Sequence, residues 1–159
     1  LTAGQMTWLY KHDKIKALIN ISHGEGFGLP MFEAAREGMP IVTVGWSGQM
    51  DFLNHDGKDY FESVEYTLQP VQQGAVWDGV IEKDSMWANA DQGSYKMTLR
   101  KTLKNWSKIK ERAEELSTII NEKFAEEKLF AGFCDAIYGE EVDIDSWLEE
   151  LESEMVTSD

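Results

Sequence analysis

An α/β fold with a short parallel sheet and helices gathered toward its C-terminus is what this chain of 159 residues predicts, on three observations. Two apolar runs, Ala17 to Ile21 and Ile41 to Val44, have the length and branching of buried strands. Between them lie a turn with alternating glycines and a segment, Pro30 to Glu37, that reads as one short helix closed by Gly38. A strand returned through a helix requires parallel strands and a right-handed crossover. The third observation is a pair of stretches, Tyr95 to Trp106 and Ile109 to Ala125, each with one apolar stripe.

In chain order, residues 2–12 read as an amphipathic helix with Thr2 as N-cap and Met6, Leu9 and Tyr10 on its core face. The strand at Ala17 to Ile21 follows, then the glycine turn, and Pro30 suits the first position of the next helix because its missing N–H has no partner there. After the strand at Ile41 to Val44, Gly45 to Gln49 is a second turn at the same edge of the sheet. Asn54 to Gly57 is another turn, and Tyr60-Phe61 begins a short last strand. Val64 to Val71 alternates poorly and ends near Pro70, which suits an extended edge segment. Gln72 to Asp91 reads as irregular, pinned to the core by Trp77, Met86 and Trp87. The stripe of the first long helix is Met97, Leu99 and Leu103; that of the second is Ala113, Leu116, Ile119, Ile120 and Phe124. Leu129 to Tyr138 reads as a last apolar helix, which gives a domain over residues 1–138 and an acidic tail over 139–159. The tail has the pattern of a short helix capped by Asp145 and is expected to pack on the basic stretch from Lys96 to Arg112. That stretch reads either as a surface for an anionic ligand or, more plainly, as a solvated helix face.

The turn, Ser22 to Glu33, carries the chemistry. Gly24, Gly26 and Gly28 remove the Cβ atoms that would hold a ligand off the main chain. The turn leaves the carboxyl end of its strand, where open α/β sheets bind ligands, and its amides with those at the helix start form a donor array suited to phosphate. Two acids punctuate it. Glu33, one turn into the helix, has two acceptor oxygens that match a vicinal diol such as the 2′,3′ pair of a ribose, at about 1.5–3 kcal/mol per charge-assisted bond. Glu25, in the turn itself, faces whatever lies beyond the phosphates. The plainer alternative is a tight connection whose glycines permit the turn and whose Glu33 favours the helix dipole.

Glu25 and Glu33, set in Gly-Glu-Gly-Phe-Gly-Leu-Pro-Met-Phe-Glu-Ala-Ala and followed by Gly38-Met39-Pro40-Ile41-Val42, resemble the donor-binding motif of the retaining group 1 (family 4-like) GT-B glycosyltransferases. The resemblance implies a partial Rossmann-like domain, the C-terminal half of a GT-B enzyme, that takes a nucleotide-diphosphate sugar as substrate and needs no cofactor or metal. It implies that Gly26, Phe27, Gly28 and Leu29 hold the diphosphate and sugar, that Glu25 is the catalytic contact to the sugar hydroxyls, and that Glu33 binds the ribose, all in one pocket. His23 is a further candidate. Gly45-Trp46-Ser47-Gly48-Gln49 is similar to the family's second glycine loop, with Asp51 downstream; Ser47 and Gly48 read as donor contacts or as simple turn chemistry. The resemblance runs from Thr2 to Tyr138 and lacks the acceptor half, the first strands of the donor half and its upstream Arg and Lys. Lys14, Lys16 and Arg36 are the nearest cations, and none is at a family position.

The chain is therefore expected to be inactive alone and to leave Ala17 to Ile21 as an open sheet edge, paired with a second copy or covered by its own helices. The alternatives are a non-catalytic interaction module on the same half-domain, or another GT-B enzyme such as a sugar-nucleotide epimerase or a phosphorylase. With 15 basic and 29 acidic residues the net charge is −14, which argues against nucleic acid as a partner. The single Cys134 forms no internal disulfide, in keeping with a reducing cytoplasm, and His12, His23 and His55 lack zinc spacing. No apolar run reaches the roughly 18 residues of a membrane span, and Leu1 opens no secretory leader.

Overall fold

The structure, a computed structural model, describes residues 1–139. It divides into two compact units, Leu1–Glu122 and Lys123–Asp159, each described by itself below. Helix α1 (Ala3–Lys11) opens with a reciprocal cap, in which Thr2 accepts from the Gln5 amide while the Gln5 side chain accepts from the Thr2 amide. Tyr10 is buried with Ala34 and Met39, and Met6, Ile15 and Leu18 pack on them.

Strand β1 (Leu18–Asn20), helix α2 (Leu29–Arg36) and strand β2 (Ile41–Val44) form the expected unit, with β1 parallel to β2 and Leu18 opposite Ile41. Gly28 caps α2, so Leu29 is its first residue and Pro30 its second, one position later than predicted. Proline's fixed φ and absent N–H are tolerated throughout that first turn. At the far end Gly38 takes φ +68, as its place after the helix predicts.

Helix α3 (Met50–Leu53) is followed by a tight hairpin, β3 (Asn54–His55) and β4 (Lys58–Asp59), around Asp56 and Gly57, both at positive φ. Strand β5 (Glu62–Val64) completes a three-stranded parallel sheet of order β1-β2-β5, in which all four residues of β2 are buried. Of the two arrangements expected for β1, cover by the chain's own helices is not found among the described residues, since Ile19 and Ile21 are 44% and 41% exposed, and pairing with a second copy is the alternative left.

Strand β6 (Tyr66–Pro70) pairs antiparallel with β7 (Met86–Ala90), which corrects the irregular reading at residues 86–90, while residues 72–85 stay irregular apart from one short turn and an isolated bridge. Met-Trp-Ala-Asn-Ala has no β-branched residue and no clean alternation, so only its partner strand makes it extended. Ala88 is fully buried against Val42, Val44 and Val64. The pinning is done by Trp87 and Ala88, whereas Trp77 is 67% exposed and Met86 also faces solvent.

Helix α4 (Gln92–Lys104) starts three residues before the expected Tyr95, because Asp91 accepts from the Ser94 amide and caps it. Of its predicted stripe only Leu99 faces inward. Thr98 and Thr102 are buried, with Tyr95 and Leu99 packed on the core, while Met97 and Leu103 are 68% and 66% exposed. The two hydroxyls donate to the Ser63 and Thr98 carbonyls, which makes their burial inexpensive. Helix α5 (Trp106–Lys123) starts three residues before the expected Ile109 and buries Ala113, Leu116 and Ile120 of its predicted stripe together with Ile109, while Ile119 and Phe124 are only partly buried; Ser117 and Asn121 donate to the Arg36 carbonyl at the end of α2.

In the second unit, helix α6 (Glu126–Tyr138) exposes Leu129, Phe130, Phe133 and Ile137 along one side. The tail helix at Asp145 and its packing on the basic stretch fall outside the described residues. Among the described residues no helix is long and apolar enough to cross a membrane, and no three His, Cys, Asp or Glu side chains are grouped to hold a metal.

Candidate active site

Asn20, the last residue of β1, organises the start of the turn. Its side-chain oxygen accepts from the Ser22 amide at 2.8 Å, and its Nδ2 donates to Glu25 Oε1 at 2.9 Å. Ser22 Oγ donates to the same Glu25 oxygen at 2.9 Å. Glu25 is thereby half-buried and folded back on the strand end that carries it.

His23 is tied to β7. Its ring stacks on Trp87 at 4.7 Å between centroids with an interplanar angle of 1°. Its Nδ1 lies 2.8 Å from the Ala88 carbonyl, which only accepts, so Nδ1 carries a proton; the Ala88 amide returns a bond to the His23 carbonyl at 3.1 Å.

The second glycine loop closes on the turn from the other side. Ser47, at φ +78, donates to the Glu25 carbonyl at 2.7 Å and accepts from the Glu25 amide at 3.2 Å. The Gly48 amide also donates to the Glu25 carbonyl, and a Cβ at Gly48 would run into the Gly26 carbonyl. Ser47 and Gly48 therefore do the work of holding two loops together. Gln49, the last residue of that loop, is fully buried; its Nε2 donates to the Val44 carbonyl and its Oε1 has no partner among the described residues.

Gly28 needs its φ of +88 and also its lack of a side chain, since a Cβ would press on Met31 and Gln49. Phe27 turns into a cluster with Phe32 and Phe52, with centroids 5.2 to 5.3 Å apart, so its ring anchors the turn. Leu29 is exposed. Among the described residues the N–H groups of Gly26, Gly28 and Leu29 donate to no protein acceptor.

Glu33 is exposed on α2, and Tyr10 of α1 donates to its Oε2 at 3.2 Å. Burial pushes the Tyr10 phenol above its ordinary value, and the bond and charge of Glu33 add to that. The two line a cleft of about 330 Å³ with Met6, Thr7 and Arg36. Neither Glu25 nor the glycines line it, so the expected single pocket for both acids is not formed in this cleft. Glu25 is grouped with Asn20, Ser22 and Ser47, and Glu33 with Tyr10 and Arg36. Of the sequence's cations, Arg36 reaches the Glu33 cleft, while Lys16 lies over the Trp106 ring.

A family model described as "Family 4 Glycosyltransferase in conflict systems" matches residues 11–132. The chain belongs to that family. No curated protein and no solved structure matches it. The family 4 match spans both glycine loops, the β6–β7 ribbon and the long helices, but it begins at the last residue of α1. Tyr10, the partner of Glu33, thus lies just outside the part that identifies this chain as a glycosyltransferase domain. Asn20, Gln49, Trp87, Ala88 and Tyr10 act at this site without a sequence signal that marks them for it. Tyr10 was legible only as a core residue, and Trp87-Ala88 had no periodic signal to mark it.

Proposed function

We propose that this chain is the donor-binding domain of a retaining GT-B glycosyltransferase whose substrate is a nucleotide-diphosphate sugar. The observation that carries the reading is the row of unengaged amides at Gly26, Gly28 and Leu29, at the carboxyl end of β1, with an acid on either side. The diphosphate lies on those amides and the start of α2. As the glycosidic bond breaks, charge grows on the leaving diphosphate, and fixed donors of this kind contribute about 2.7–4 kcal/mol each to such a step. Glu25, held by Asn20 and Ser22, presents its carboxylate to the sugar hydroxyls. Glu33, steadied by Tyr10, binds the ribose hydroxyls. The acceptor is held by a separate half of the enzyme, and without that positioning this chain does not turn over.

A thermal-shift and calorimetric screen of UDP-, GDP- and ADP-sugars against the chain tests this. One nucleotide class is expected to bind, and Glu33→Ala is expected to weaken it about tenfold, equivalent to roughly 1.4 kcal/mol. Binding that neither Glu33→Ala nor Glu25→Gln alters, or no binding by any donor, counts against the reading.

A further inference from the structure

The register of the parallel sheet places Glu62, opposite Val42, toward the amino end of β5, at the opposite edge of the sheet from the glycine turn. Glu62 is only 3% exposed. Arg112 Nη2 donates to its Oε1 and, at 3.1 Å, to the Phe61 carbonyl; Lys101 Nζ is 3.3 Å from its Oε2. These residues line a cleft of about 320 Å³ together with Asn105, Lys108 and Ile109. A buried carboxylate needs compensation, and one cation would provide it. Here Lys101, Lys108 and Arg112 line the cleft with one carboxylate, and although Arg112 also acts on Glu115 outside it, the cleft stays cationic in a chain whose net charge is −14. Lys108 makes no ion pair among the described residues, and Arg112 Nε is buried with no acceptor. Compensation of Glu62 therefore explains Arg112 and Lys101 but leaves Lys108, exposed on the rim of the cleft, without a role.

We propose that this cleft binds a small phosphate-bearing anion, at a site separate from the glycine turn. Glu62 holds Arg112 and Lys101 in place while the site is empty, and keeps three cations from repelling one another. An entering phosphoryl group takes donors from Lys101, Lys108 and the side-chain Nδ2 of Asn105, and Ile109 gives the cleft an apolar wall for what the phosphate carries. The strongly acidic chain as a whole disfavours a long polyanion, so the ligand is a small molecule.

A two-dimensional amide NMR titration of the full chain with inorganic phosphate and with pyrophosphate, at constant ionic strength, tests the proposal. Saturable shifts are expected at Glu62 and across Lys101 to Arg112, weakened about tenfold by Lys108→Ala, whose side chain has no partner whose loss would harm folding. Shifts confined to Gly26 to Leu29 would overturn this proposal and leave the donor-binding reading intact. So would the absence of saturable shifts, shifts that Lys108→Ala leaves unchanged, or a response of these amides to a single-stranded oligonucleotide but to neither small anion.

Discussion

Gly26 and Gly48 face each other across the two loops, and the consequences of adding a methyl to each differ. A Cβ on Gly48 meets the Gly26 carbonyl, whereas one on Gly26 meets nothing within 4 Å. Gly48→Ala is therefore expected to cost about 1–3 kcal/mol in a urea titration, and Gly26→Ala to stay within about 0.5 kcal/mol. If the Gly26 amide lies under a phosphate, the Gly26→Ala methyl still weakens donor binding, so stability and affinity separate at this residue. Ionisation supplies a second residue-scale test. Burial raises the Tyr10 and Tyr60 phenols, and the bond to Glu115 raises Lys58. A group whose folded value exceeds its unfolded one contributes stability that is complete below the unfolded value, about 10 here, and lost as pH rises through the folded value. Glu115, lowered chiefly by Lys58, contributes above the ordinary carboxylate value and loses that contribution on acidification. The urea midpoint is thus expected to fall on the alkaline side, and less steeply in Tyr10→Phe; an unchanged slope would remove Tyr10 from the account.

The elements that sequence made legible are those whose burial is a matter of apolar periodicity. Residues 17–44 and the inward face of α5 follow their patterns closely, and Leu116→Ala is expected to cost about 2–5 kcal/mol. Helix α4 is the counterexample, because hydroxyls satisfied by backbone carbonyls let Thr98 and Thr102 take the core face. Leu103→Ala should accordingly change stability by no more than about 0.5 kcal/mol, despite removing the larger side chain. Strand β7 was illegible because its extension depends on β6, a partner sixteen or more residues distant across an irregular segment. It nonetheless bears on the site, since Trp87 and Ala88 hold His23. Trp87→Ala is expected to speed amide hydrogen exchange from Ser22 to Gly24 and leave α5 as protected as before. Of the site, the glycines and both acids could be picked out by residue type; their separate settings could not, because Asn20, Ser47 and Tyr10 come from three different elements.

For the molecule as a whole, a central buried strand lies between two edges, and the β1 edge presents Ile19 and Ile21 to solvent. Open apolar edges recruit strands, so concentration-dependent self-association is expected in sedimentation velocity, and Ile19→Lys is expected to reduce it. The family 4 match over residues 11–132 identifies a glycosyltransferase domain, and under the proposed function the decisive point is where a sugar donor lies. An amide NMR titration with the tightest-binding nucleotide-diphosphate sugar addresses that point most directly. The account predicts that Gly26, Gly28, Leu29 and Glu33 shift together and saturate with a single affinity, with Glu33→Ala weakening it. Saturable shifts that spare all four amides, or none at all, would contradict it.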